Sequence, residues 1–192
     1  GNLSSVGFDL FTQMLGQAVA EARGDDSETV EAAGVAINIP ADFFLDEEYL
    51  PRVDERVLAY RKLAAADDLE SVDRLQEETE AAHGELPQAG LNLFDRARIR
   101  IRAERLGLES VTLSGGRLTF LGVDVPKNVA FDLKDRLGAV AFPRSRKLSI
   151  PYRTGAGAGS GVGRGLNADD ERGPVAAALA VLCQLGASGD DD

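Results

Sequence analysis

The sequence predicts an α+β domain in which a small β-sheet packs with several helices. Three observations carry this. Apolar residues recur at three- and four-residue steps through most of the first hundred positions, the period of helices buried along one face. After Gly107 the pattern changes to short β-rich runs in "LESVTLSGGRLTFLG". Helices first, then strands and helices mixed, is the order of an α+β fold. A length of 192 residues accommodates one domain with a tail, and a hydrophobic content of 44% supplies a core.

The elements follow in order. "VGFDLFTQMLGQAVAEAR", Val6 to Arg23, places Phe11, Met14, Leu15, Ala18 and Ala22 on one helical face, and Gly24 stops it before a solvated loop. "VAINI", Val35 to Ile39, alternates like a strand and ends at Pro40. "ADFFLDEEYLP" reads as extended or irregular. Pro51 suits the first turn of a helix reaching about Ala66, with Asp54 and Glu55 at its positive end and Val57, Leu58, Tyr60, Arg61 and Leu63 along it. Asp67 with Glu70 reads as a capping box for a second helix, whose face is Leu69, Val72, Leu75 and Thr79 and whose end is Gly84. Pro87 opens a third helix running to Gly107.

Ser114-Gly115-Gly116 is the turn of a β-hairpin. Pro126 begins a helix to Leu137, and "AVAF" and "KLSIPY" are two further strands. The glycine-rich run Gly155 to Gly165 has the composition of a flexible linker, and a last helix, Val175 to Leu185, follows Pro174. The expected organisation is therefore an added or linker segment at 1–5, the domain at 6–152, a glycine-rich linker at 153–170, a C-terminal helix at 171–187 and a frayed acidic tail at 188–192.

The formal net charge of −11 argues against a general nucleic-acid binder and favours a soluble chain, or one that meets a basic partner. A single cysteine, Cys183, excludes an internal disulfide and points to the cytoplasm; on its apolar helix it reads as a buried, inert thiol. No apolar run reaches the roughly 18 residues of a membrane span, and the N-terminal residues lack the pattern of a signal peptide, so no membrane partner is expected. With one histidine and one cysteine, no His/Cys zinc site can form; His83 reads as a partner of a helix C-terminus. Asp46, Glu47 and Glu48 read as a solvated approach to a helix, since a metal cage needs ligands converging from several segments. Gly163, Gly165 and Ala168 fit G-x-G-x-x-A, but without the strand and helix that a dinucleotide site requires. No catalytic, cofactor or metal site is expected.

Charge distribution says more than charge total. Residues 67–85 hold eight acids and one base, Arg74, whereas residues 96–105 hold five arginines against Glu104. Arg144, Arg146 and Lys147 in "PRSRK" add to the basic side. These blocks can pair with each other inside the domain, each exposed pair contributing roughly 0–1 kcal/mol. Alternatively the acidic helix faces a basic surface on another protein or domain. A third reading makes Arg98, Arg102 and Arg105 a nucleic-acid-binding face.

Three stretches resemble the C-terminal (TRCF) domain of the bacterial transcription-repair coupling factors. "VGFDLFTQMLGQAVAEA" is similar to a V-G-F-D-L-[YF]-x-x-x-L-x-x-A-V pattern that opens that domain. "INIPADFFLDEEYLPRVDERVLAYRKLAAADDLESVDRLQEE" is similar to its strand, P-x-x-[FY]-[IL] stretch, acidic turn and R-L-x-x-Y-[RK]-[RK]-[LIV]-A helix. "GELPQAGLNLFDRARIRIRAERLGLESV" is similar to its G-x-L-P, long helix, L-G-I and strand. The resemblance covers about residues 6 to 113.

The resemblance implies a regulatory module attached to a DNA translocase that hydrolyses ATP with Mg and pushes stalled RNA polymerase off damaged template. Such a module packs on a UvrB-like N-terminal module and hides the surface that recruits UvrA, an autoinhibited state released when the factor engages polymerase. The family's acidic E-x-x-D contact maps onto Glu78 and Ala81, so the second acid is missing, and Glu77 and Glu80 lie within a turn of the gap. His83 stands where the family has an aromatic, and Ala82 where it has arginine. The implied interdomain interface is Glu77, Glu78, Glu80 and Ala81, and Gly7 and Phe8 become the hinge to the motor. The chain has no Walker A motif, so the resemblance implies a segment that is not itself an enzyme, with ATP and Mg bound in the parent motor.

Overall fold

Prolines, glycines and apolar spacing divide the described residues into four helices and five strands in a computed structural model that describes residues 34–125, 131, 146–153, 166–167 and 173–187. The arrangement is α+β, as the sequence predicts. Two structural units divide the chain, one containing Ala41–Ile101 and the other Gly34–Pro40 with Arg102–Asp192. The expected opening helix, the helix from Pro126, the strand "AVAF" and the hinge residues Gly7 and Phe8 lie outside the described residues.

In the first unit, an irregular stretch clamps three helices. Phe43, Leu45 and Leu50 are buried along it, and polar contacts fix its path. Leu45 N donates to Tyr60 Oη at 2.9 Å, and Asn92 Nδ2 donates to Asp42 O at 3.1 Å. Helix α1 (Val53–Ala65) begins after an extended Arg52, so Pro51 sits one residue outside the helix rather than in its first turn. Its buried face is Ala59, Tyr60 and Leu63. Leu58 is exposed, on the side of the helix away from Tyr60, whose hydroxyl is anchored by Leu45 N.

Helix α2 (Leu69–His83) is capped by Asp68, not by Asp67. Asp68 Oδ1 accepts from Ser71 N at 2.7 Å, and Ser71 Oγ donates to Asp68 Oδ2 at 2.9 Å. The backbone explains the choice: Asp68 is extended (φ −134°, ψ 159°) and three residues before Ser71, the reach of an N-cap side chain to the third helical amide. Val72, Leu75 and Thr79 are the buried positions of α2, as their spacing predicts. Helix α3 (Gln88–Arg105) buries Leu93, Phe94 and Ala97 within this unit.

The second unit holds a sheet in the order β1 (Ala36–Asn38), β2 (Ser110–Ser114), β3 (Arg117–Leu121), β4 (Lys147–Arg153) and β5 (Leu166–Asn167). The β1–β2 and β4–β5 pairs are parallel; β2–β3 and β3–β4 are antiparallel. Register aligns Val111 with Phe120 and Phe120 with Leu148, and likewise Leu118 with Ile150, so alternate residues build one buried face. Gly115 and Gly116 form the two-residue hairpin turn, both at positive φ. Strand β5 falls inside the span expected as linker, which is thus not structureless throughout. Helix α4 (Gly173–Ala187) buries Val175, Ala178, Val181 and Leu182; Cys183 is half-buried rather than enclosed.

Candidate functional site

Helix α2 separates its residues by chemistry. The buried face of Val72, Leu75 and Thr79 fixes its rotation, and Thr79 returns its hydroxyl to Leu75 O at 2.7 Å, leaving no polar atom idle on the apolar side. Glu70, Asp73, Arg74, Glu77, Glu78 and Ala81 then fall at three- and four-residue steps on the opposite, exposed face. Of the residues assigned to the interdomain interface, Glu77, Glu78 and Ala81 therefore share one surface. Glu80 does not: it is half-buried, and its Oε1 accepts from Leu86 N at 3.3 Å, holding the connection to α3. Glu77, not Glu80, stands beside the gap left by Ala81.

The charges on this face differ in their freedom. Asp73 is held by Arg98, whose Nη2 lies 2.7 Å away. Arg74 and Glu70 pair at 3.8 Å along the helix. Glu78 meets Lys62 of α1 at 3.8 Å, a loose contact between side chains that are 51% and 60% exposed. Glu77 is exposed and makes no ion pair among the described residues. An exposed pair of this length contributes little, so Glu78 is only weakly engaged.

The C-terminal end of α2 is anchored. Gly84, at φ +89°, ends the helix and returns its N–H to Glu80 O. Burial and the neighbouring Glu80 carboxylate push the Tyr49 hydroxyl above its ordinary pKa, keeping it protonated as it donates to Gly84 O at 2.8 Å. His83 is the last helical residue, its ring 6.0 Å from that of Tyr49 and its Nε2 4.0 Å from Glu55.

The arginines of α3 go to several places. The Arg96 guanidinium lies 5.1 Å over the Phe43 ring, and burial pushes its pKa down to about 10. Arg98 is tied to Asp73, Asp95 and Gln76. Arg100 donates to Leu63 O and Ala66 O, satisfying carbonyls at the end of α1. Arg102 is half-buried, with an Nε that has no hydrogen-bond partner among the described residues, and Arg105 is exposed. Arg98, Arg102 and Arg105 therefore do not present three free cations. Asp46 caps Tyr49 N at 2.6 Å, and Glu47 reaches Arg56 at 3.4 Å. Among the described residues no cluster of His, Cys, Asp and Glu could hold a metal ion, and no helix is long and apolar enough to cross a membrane.

Residues 39–138, spanning α1 to α3 and the β2–β3 hairpin, match the model of the TRCF domain. The chain belongs to the TRCF domain family. Curated relatives carry the name transcription-repair-coupling factor. One from Staphylococcus epidermidis is 30% identical over 115 residues, covering 60% of this chain and 10% of the relative. One from Bacillus subtilis is 28% identical over 161 residues (80% and 14%), and one from Mycobacterium tuberculosis 28% over 171 residues (83% and 14%). The TRCF chain thus spans only 10–14% of the length of these relatives. A solved structure described as the C-terminal domain of transcription-repair coupling factor shares the fold, with a TM-score of 0.60 at 12% identity, covering 82% of this chain and 97% of that one.

Proposed function

We propose that this TRCF domain is the regulatory C-terminal module of an ATP-dependent DNA translocase in transcription-coupled nucleotide excision repair. It binds the parent's N-terminal UvrB-like module and masks the surface through which that module recruits UvrA. ATP, Mg and DNA are handled by the parent motor, contact with RNA polymerase and UvrA is indirect, and the setting is the cytoplasm. The domain contributes binding energy that differs between two states of the parent, which is what autoinhibition requires.

The supporting observation is the exposed carboxylate pair Glu77–Glu78 on a helix whose rotation is fixed by buried Val72 and Leu75. Fixed rotation matters because the helix backbone is already ordered, which leaves only the side chains to be ordered when a basic partner binds. The loss of the family's second acid at Ala81 is offset by Glu77, one turn earlier on the same face.

The test is a binding titration of the chain against the purified N-terminal module. Glu77→Lys with Glu78→Lys should weaken binding by roughly tenfold or more, and wild-type affinity should fall as salt rises. Unchanged affinity for the double variant, together with unchanged UvrA recruitment by the full-length factor carrying it, would sink this reading.

A further inference from the structure

The first unit leaves two large apolar side chains of α1 exposed, Val53 and Leu58. Leu58 of α1 is 53% exposed, although Ala59, Tyr60 and Leu63 on the same helix are buried. An exposed leucine alone means little. Leu58, however, lines a hollow of about 160 Å³ between α1 and α2, together with Leu50, Ala59, Leu75 and Ala82. Two carboxylates, Glu55 and Glu78, with Lys62 and His83, form the titratable part of its lining. A second, more polar depression of about 340 Å³ shares Lys62, Leu75 and Glu78 with it, so the Lys62–Glu78 pair lies where the two meet.

The size and charge of the hollow select its occupant. It is smaller than the roughly 300–1,000 Å³ of a small-molecule site, and suits a single apolar side chain. A second copy of this chain would bring the same acidic rim and a net charge of −11, and an anionic lipid surface would be repelled as well. A basic protein surface carrying one apolar anchor fits both the floor and the rim. An apolar centre ringed by charge is also how binding energy is commonly distributed at protein interfaces.

We infer that the α1–α2 groove seats an apolar side chain of the basic partner, with Leu58 as this chain's anchor and the Lys62–Glu78 pair as a latch that the partner's cation opens. The inference rests on the reading that α2 meets the parent's N-terminal module, and it names the contact at the centre of that interface. The latch has a consequence that coupling between the two residues isolates. Lys62 competes with the incoming cation for Glu78, so removing a positive charge from this acidic domain should strengthen binding.

The experiment titrates the chain and its variants with the purified N-terminal module at low and high salt. Leu58→Ser should lose about tenfold or more in affinity at both salt concentrations, because the lost contact is apolar. Leu58→Met should bind like wild type. Lys62→Gln should bind several-fold tighter, and that gain should vanish when Glu78→Gln is added, as coupling through one pair requires. Thermal unfolding at the wild-type temperature identifies the Leu58→Ser loss as one of contact, and Leu58→Met with Lys62→Gln decide the matter where Leu58→Ser unfolds early. Wild-type affinity for Leu58→Ser, with Glu77→Lys and Glu78→Lys still weakening binding, overturns the groove and leaves the electrostatic reading standing. Failure of the wild-type chain to bind overturns both. Sedimentation showing a dimer that Leu58→Ser dissociates makes a second copy the occupant and overturns the inference.

Discussion

At Gly122 the backbone leaves no room for a side chain. Its φ is +103°, and a Cβ there would lie 2.7 Å from Glu109 N and 3.0 Å from Gly107 O. The same residue donates its N–H to Arg146 O and accepts from Arg146 Nη2, both at 2.8 Å, so it cannot move away without loosening the chain between β3 and β4. Gly122→Ala should destabilise the fold by on the order of 1–3 kcal/mol, seen as a lower urea midpoint at an unchanged slope. Asp68 makes a different prediction, in pH. The Ser71 amide and hydroxyl hold its carboxyl below the usual carboxylate range. A depressed folded pKa means that the stabilisation is complete above the ordinary value of about 3.9 and is lost as pH falls through the lowered folded value. Asp68→Ala should therefore unfold at lower urea than wild type at pH 7, and the gap between the two should close in acid. A constant gap down to pH 2 would show that the carboxylate's charge does not contribute to the cap.

Among the elements, the hairpin shows how far local chemistry determines structure. Gly115 and Gly116 sit at φ +56° and +69°, and a Cβ on Gly115 would meet nothing, so the requirement there is conformational rather than steric. Replacing both by alanine should cost about 1–2 kcal/mol per residue, whereas Gly115→Asn should be tolerated, because Asn-Gly suits the same turn. Urea unfolding of the two variants compares them directly. The hairpin was legible because β-rich runs flank a dipeptide that only a turn favours. The α2 cap was legible only to within one residue: Asp67 and Asp68 can both cap, and the burial of Val72 and Leu75 selects the second. Which side of α1 Leu58 faces was not legible for a related reason. Adjacent Val57 and Leu58 both satisfy an apolar period, and the tertiary bond from Leu45 N to Tyr60 Oη decides which turns outward. The acidic face of α2 could be read from spacing, but Glu80 could not be separated from Glu77, since its partner, Leu86 N, belongs to the next connection. Arg98, Arg102 and Arg105 are four and three residues apart and share one face of α3, so spacing could not show that Arg98 is tied to Asp73 and Asp95 and that Arg102 is half-buried.

Across the whole molecule, charge total and charge placement favour the same kind of partner. A net charge of −11 opposes approach to phosphate, and the arginines that might have overcome it are engaged: Arg98 with Asp73 and Asp95, Arg100 with the carbonyls of Leu63 and Ala66. Nucleic-acid affinity depends on how many phosphates are neutralised at once, and an exposed Arg105 with a half-buried Arg102 offers few. The acidic face has the opposite character, since Glu77 makes no ion pair among the described residues and Glu78 is only loosely paired. The chain should consequently show no uptake of labelled duplex or single-stranded DNA in fluorescence anisotropy at low salt, where phosphate contacts are strongest, while the proposed function expects it to bind the parent's N-terminal module under the same conditions. Both arms respond to salt in the same direction, so salt dependence alone does not separate them; the variants do. DNA binding that weakens with Arg98→Ala, Arg102→Ala and Arg105→Ala, and whose logarithm falls linearly with the logarithm of salt at a slope of about −0.9 per phosphate contacted, would put the arginine helix ahead of the acidic one. Binding to the protein module that survives those three substitutions and fails with Glu77→Lys and Glu78→Lys assigns the working surface to α2.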